Sequence, residues 1–211
     1  AYKRVRHLGV SATRLRTNCR NTREINRETL LVTQPERRTR SAEIMGPPVR
    51  QIYYEDKFDQ VKKLWSILDT IEMEGISADR ITVLSPYGSA KSCAGYLFRA
   101  CFDKTPPGAP RFNDLAFPKQ VLAPLSENGE AKVAFSSISS FKGLENDFII
   151  LTDVESLDAS KWFHPLIYVG MSRARFSLTM LIDENARSDY EKLEREGVPN
   201  PAAQEFHDPH N

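Results

Sequence analysis

Three short stretches of the sequence combine chemically active residue types with positions where a ligand could reach them. They are Arg20, the turn Lys142-Gly143-Leu144-Glu145, and the cluster Ser172-Arg173-Ala174-Arg175. Each falls at a predicted junction between a strand and a helix, the place in an open parallel sheet where backbone donors and helix N-termini gather around ligands. Arginines at such places suit an anionic ligand. Taken singly, each stretch also has a plain structural reading: one more charge in a basic segment, an ordinary glycine turn, and a solvated helix end.

The elements that must position these residues follow from the hydrophobic pattern. Residues 15–18 read as the end of a short strand, and Asn21-Thr22 as a cap for a helix over residues 23–31, which sets Arg20 at the junction. Val49 to Tyr53 alternates as a strand. Phe58, Val61, Leu64, Trp65, Leu68 and Ile71 recur at helical spacing and mark a core-facing stripe that Gly75 closes. Residues 81–84 form an apolar strand, followed by a helix predicted over residues 89–101.

Residues 103–130 hold five of the 13 prolines and read as an irregular connection. Strands are expected at residues 132–138 and 148–153, a helix over residues 162–175 and a closing strand over residues 177–182. Apolar strands alternating with helices indicate an α/β fold, a parallel sheet covered on both faces. One domain is expected over residues 1–197, with a flexible tail over residues 198–211.

The 29 Lys+Arg and 28 Asp+Glu nearly cancel, but residues 1–40 hold 11 basic and 3 acidic side chains, a local surplus of +8 that favours an anionic partner such as a nucleic-acid backbone. The longest apolar runs, such as Phe148 to Leu151, fall far short of the roughly 18 residues a membrane span needs. Cys19, Cys93 and Cys101 are an odd number without CxxC spacing, and the four histidines show no zinc pattern. A reducing, cytoplasmic setting and no structural metal are expected. The opening Ala1-Tyr2-Lys3-Arg4 suggests a domain drawn from a longer protein.

Read together, the motifs resemble one family. Residues 18–25 (NCRNTREI), 81–85 (ITVLS), 139–145 (SSFKGLE) and 168–175 (YVGMSRAR) occur in the order of the later motifs of superfamily 1 helicases, and residues 13–183 resemble the C-terminal RecA-like domain of UvrD/Rep-type DNA helicases. The resemblance implies a P-loop NTPase-type lobe, a three-layer α/β/α sandwich, that completes an ATP site with an N-terminal RecA-like lobe. That other lobe would bring the GxxxxGK[ST] loop and the Mg²⁺-binding acidic pair. No GxxxxGK[ST] occurs in the 211 residues.

By the same resemblance Arg173 is an arginine finger, Arg20 a second γ-phosphate contact, and Glu145 a ribose contact that Gly143 lets the backbone approach. Ser137 and Ser139 stand where the family faces single-stranded DNA with Thr and His, so Ser139 keeps a hydroxyl and loses the imidazole. Cys19 stands where an aromatic often stacks on adenine. Arg175, two residues past the finger on the predicted helix, reads as structural. The large helical insertion of UvrD and Rep is absent, its interval filled only by residues 103–130. The rival reading, from another class, is a helicase-like module that binds DNA or protein without ATP turnover.

Overall fold

Strands that are apolar on both faces need a layer of helices on each side, and the chain builds that arrangement. The computed structural model describes residues 17–34, 40–41, 44–101, 122–125 and 132–197. In chain order the elements are β1 (Thr17–Asn18), α1 (Arg23–Thr33), β2 (Arg40–Ser41), β3 (Arg50–Tyr54), α2 (Lys57–Met73), β4 (Ile81–Ser85), α3 (Cys93–Cys101) and β5 (Leu122–Pro124). There follow β6 (Val133–Ser137), β7 (Asn146–Val154), α4 (His164–Met171), β8 (Ala174–Asp183) and α5 (Arg187–Glu196). The main sheet runs β3-β8-β7-β4-β6-β5, parallel throughout, and β1 pairs with β2 in a separate parallel ladder.

Alternation along the central strands divides the core. Ile149 and Leu151 of β7, with Leu178, Met180 and Ile182 of β8, face a cluster built from Ile25 and Val32 of α1, Ile167 and Met171 of α4, and Tyr190 of α5. Ile150 and Leu181 point the other way, toward Val61, Leu64, Leu68 and Ile71 of α2 and Leu97 of α3. The result is the expected RecA-like three-layer α/β/α sandwich. Helix α4 lies tight on the sheet: a Cβ at Gly170 would come within 2.9 Å of Leu151 Cδ1 and 3.1 Å of Ile138 Cδ1.

Four expectations change. The helix over residues 162–175 is shorter, and β8 begins at Ala174, so Arg175 lies on a strand instead of a helix. The cause is tertiary: the Asn21 side-chain amide donates to the carbonyls of Ser172 and Ala174, and the Asn146 N–H donates to the Arg173 carbonyl, which starts the β7–β8 ladder. Helix α3 starts at Cys93, not Ser89, because the carboxylate of Asp153 on β7 accepts from the Cys93 N–H and caps the helix there. A strand, β5, stands within the stretch read as irregular, pairing with β6. Helix α5, with no apolar stripe to announce it, packs on α1 and β3 through Tyr190. The tail expected over residues 198–211 and most of the connection lie outside the described residues.

Glu28 of α1 joins three elements. Nine-tenths buried, it accepts from the Tyr190 hydroxyl of α5 at 2.6 Å and from the Gln51 side-chain amide of β3 at 3.1 Å. Burial pushes its carboxyl above the ordinary 4.5, more than the two hydrogen bonds pull it down. The folded state therefore holds the proton more tightly than the unfolded chain. As pH rises above 4.5 the unfolded carboxyl ionises first, and stability falls until the folded group has ionised too. Glu28→Gln keeps an acceptor and removes the charge. Its stability relative to the parent protein should rise as pH goes from 4 toward neutrality, read by thermal denaturation across that range; parallel pH profiles would contradict this account.

Candidate nucleotide and nucleic-acid sites

Arg20 lies in the loop between β1 and α1, and a small asparagine network shapes that loop. The Asn18 amide donates to the side-chain oxygens of Asn21 and Asn26, and Asn18 Oδ1 accepts from the Arg20 N–H at 3.0 Å. Thr22 caps α1, its hydroxyl accepting from the Ile25 N–H, and the following loop is tied down by Arg23 N–H to the Ile44 carbonyl and Gly46 N–H to Glu24. The buried Asn21 amide then anchors the loop to the α4–β8 junction. Asn21, expected as part of the α1 cap, is the clamp between two motifs more than 150 residues apart.

The clamp brings Arg20 to the turn before β7. Arg20 Nε stands 2.8 Å from Glu145 Oε2. Arg173 lies on the neighbouring segment, half-buried, its Nε donating to the Val169 carbonyl at the C-terminal end of α4 at 3.2 Å, with no carboxylate partner among the described residues. Gly143 adopts φ +91°, a backbone that favours glycine, and a Cβ there would meet nothing within 4 Å. The conformation of the turn therefore calls for glycine on its own account.

Sequence reasoning missed the rest of this group. Arg175 Nε lies 3.7 Å from Glu145 Oε1 and 3.8 Å from Asp147 Oδ1, and Asp147 Oδ2 is 2.9 Å from Arg80 Nε. Between the pairs Asn146–Ala174 and Phe148–Ser177, β8 carries one residue more than β7, a bulge that re-aims the side chains at Arg175 and Phe176. The row Arg20, Glu145, Arg175, Asp147, Arg80 alternates in sign across three strand starts. No linear spacing could have revealed it. Arg175, read as structural, belongs to the cluster.

This group sits where strands begin. Glu145 precedes β7 and Arg173 precedes β8, so both mark the amino edge of the sheet, not the carboxyl edge expected of strand-to-helix junctions. Ser137 and Ser139 lie at the opposite edge. Ser137 ends β6 beside Ser85 of β4, a five-residue strand or about 16 Å from the amino edge. The Ser137 hydroxyl closes a turn, accepting from the Ser140 N–H and donating to the Ser140 hydroxyl, while Ser139 is exposed.

Close by, Asp153 is buried at positive φ, accepting from Ser85, Thr152 and the Cys93 N–H. Burial holds its carboxyl above the usual range against those hydrogen bonds. Among the described residues no cluster of three or more His, Cys, Asp or Glu could hold a metal, and no helix is long and apolar enough to cross a membrane.

Fold and edge geometry together define a RecA-like α/β lobe with an arginine-rich amino edge. No family model matches the chain, and no curated protein does. Among solved structures it is similar to the C-terminal domain of a possible DNA helicase from Lactobacillus plantarum WCFS1, with a TM-score of 0.55 and 15% identity, over 78% of this chain and 86% of that one.

The Asn21 clamp predicts a structural phenotype. Asn21→Ala leaves the Ser172 and Ala174 carbonyls without their donor and should cost about 1–3 kcal/mol. Chemical denaturation measures the loss; a change near zero would show that the clamp is dispensable.

Proposed function

We propose that this chain is the second motor lobe of an ATP-dependent superfamily 1 DNA helicase or translocase, with the triphosphate received at the amino edge. The observation that carries the reading is that Arg20, Glu145 and Arg173, from three separate motifs, meet at one edge of the sheet although up to 153 residues separate them. The similarity in fold to a possible DNA helicase's C-terminal domain supports it.

The donor set suits the substrate. Two guanidiniums offer planar, permanently charged donors for phosphate oxygens, and Glu145 beside them can accept from ribose hydroxyls. Glu145 and Asp147 already face arginines, so Mg²⁺ and the phosphate-cradling loop would come from the N-terminal lobe. Phosphoryl transfer spreads negative charge over the γ-phosphate oxygens, and an arginine supplied from a second lobe neutralises it, worth roughly 10³–10⁵ in rate. Arg173 suits that role: its Nε is anchored on a helix-end carbonyl, and among the described residues no carboxylate competes for it. Lobe closure and hydrolysis are then coupled, since the arginines reach the nucleotide only when the lobes meet. Single-stranded DNA would pass the carboxyl edge near Ser137 and Ser139.

The non-catalytic rival draws on one specific observation, that Arg20 is already ion-paired within the chain. Kinetics separate the two readings. In a protein carrying both lobes, Arg173→Ala should abolish ATP hydrolysis while nucleotide affinity and thermal stability stay near parental values, because the guanidinium acts mainly on charge developed in the transition state. Arg173→Lys should be almost as damaging. Arg187→Ala, which removes an exposed pair with Glu184 and a contact on the Tyr53 ring, both away from Arg20, Glu145 and Arg173, is the control. Normal turnover in the Arg173 variant would remove the finger assignment.

The chain alone should show no ATPase above background. It should bind single strands weakly, with a dissociation constant around 10⁻⁴–10⁻⁶ M that rises steeply with salt. Anisotropy titrations at two salt concentrations test this, and salt-insensitive binding would contradict it.

A further inference from the structure

The row of charges at the amino edge has an unusual internal geometry. Arg20 and Arg80, at its ends, each contact a carboxylate directly, at 2.8 and 2.9 Å. Arg175, in the middle, stands 3.7 Å from Glu145 and 3.8 Å from Asp147, nearly equidistant and in direct hydrogen bond with neither. Three cations serve two anions, so one guanidinium is always in surplus. The β8 bulge places Arg175 there, and Arg80 keeps Asp147 occupied while its own guanidinium lies 5.5 Å from the centre of the Phe148 ring.

We propose that Arg175 is a positioning residue that releases Arg20 for an incoming polyphosphate by taking over Glu145. The proposal rests on the amino edge being the nucleotide site. A polyphosphate can engage Arg20 only by drawing it away from Glu145. With no second cation nearby, that exchange would leave a bare carboxylate beside a highly charged anion, and the repulsion would oppose binding. With Arg175 already within 4 Å of Glu145 Oε1, a side-chain movement of about an ångström converts that contact into a direct charge-assisted hydrogen bond. Asp147 remains paired with Arg80 throughout. The surplus positive charge thus shifts along the row from Arg175 to Arg20. Solvent screens these half-exposed groups, so the expected effect is several-fold in affinity and not orders of magnitude.

Inorganic tripolyphosphate is the probe, titrated into the chain while the arginine Nε–H resonances are followed by NMR. Tripolyphosphate should move the Arg20 and Arg173 signals. Arg175→Ala should weaken its binding by about fivefold, Arg175→Gln should do the same, and Arg175→Lys should recover most of the loss.

A double-mutant cycle separates positioning from bulk charge. Once Glu145→Gln has removed the carboxylate, Arg175→Ala should change affinity by less than about twofold. Equal weakening in both backgrounds would overturn the proposal, since Arg175 would then act only as a nearby positive charge. An unchanged affinity for Arg175→Ala, with Arg20 and Arg173 still responding, would also overturn it and leave the site reading standing. If neither Arg20 nor Arg173 responds to tripolyphosphate, the site reading and the proposal fall together.

Discussion

One buried carboxamide organises the candidate site. Asn21 gives both of its donated hydrogen bonds to carbonyls of the α4–β8 junction, and through that single side chain the loop carrying Arg20 is fixed against the segment carrying Arg173. The Arg173 carbonyl in turn receives the Asn146 N–H, which sets Glu145 beside them. Without the clamp, Arg20 would ride on a short loop whose own ladder, β1 with β2, is only two residues long. A neutral amide suits this place: it satisfies two orphan carbonyls at a helix end without bringing a charge into the interior.

Placing the site at the amino edge changes what it must be made of. Where strands end and helices begin, free backbone N–H groups and the positive ends of helices can hold an anion unaided. Where helices end and strands begin, the free groups are carbonyls and the helix end is negative. That environment attracts cations, as Arg173 on the Val169 carbonyl shows. The N-terminus of α1, beside Arg20, is the exception at this edge; at the α4–β8 junction an anion can be held only after side chains have reversed the sign. The density of arginine at this edge follows from that requirement, and so does the need for carboxylates to hold those arginines in place before any ligand arrives.

The sequence was most legible where burial alone decides structure. The fully buried β4 run, the α2 stripe and the Thr22 cap follow from periodicity and side-chain chemistry, and the three motif residues Arg20, Glu145 and Arg173 do converge. What escaped depended on partners distant in the chain. Residues 172–175 continue a helical pattern, and only the Asn21 amide and the β7 ladder, neither visible locally, stop the helix at Met171. The start of α3 at Cys93 is set by Asp153, 60 residues away. Arg175 and Asp147 look like unremarkable surface charges until a bulge and two adjacent strands bring them to Glu145.

The borders of the main sheet limit how another protein can join it. On one side β5 is three residues long and closes on Pro124, which has no N–H to donate. On the other, the Lys63 ammonium takes the Tyr53 carbonyl of β3 at 2.6 Å and the Arg187 guanidinium lies 3.8 Å from the centre of the Tyr53 ring. Among the described residues neither border offers a long row of open main-chain groups, which disfavours strand-by-strand extension into a neighbour's sheet. A neighbour that docks on this domain is therefore left the tips of the strands and the helical faces. A joint across the strand tips is held by side chains alone and can open and close without breaking a backbone ladder.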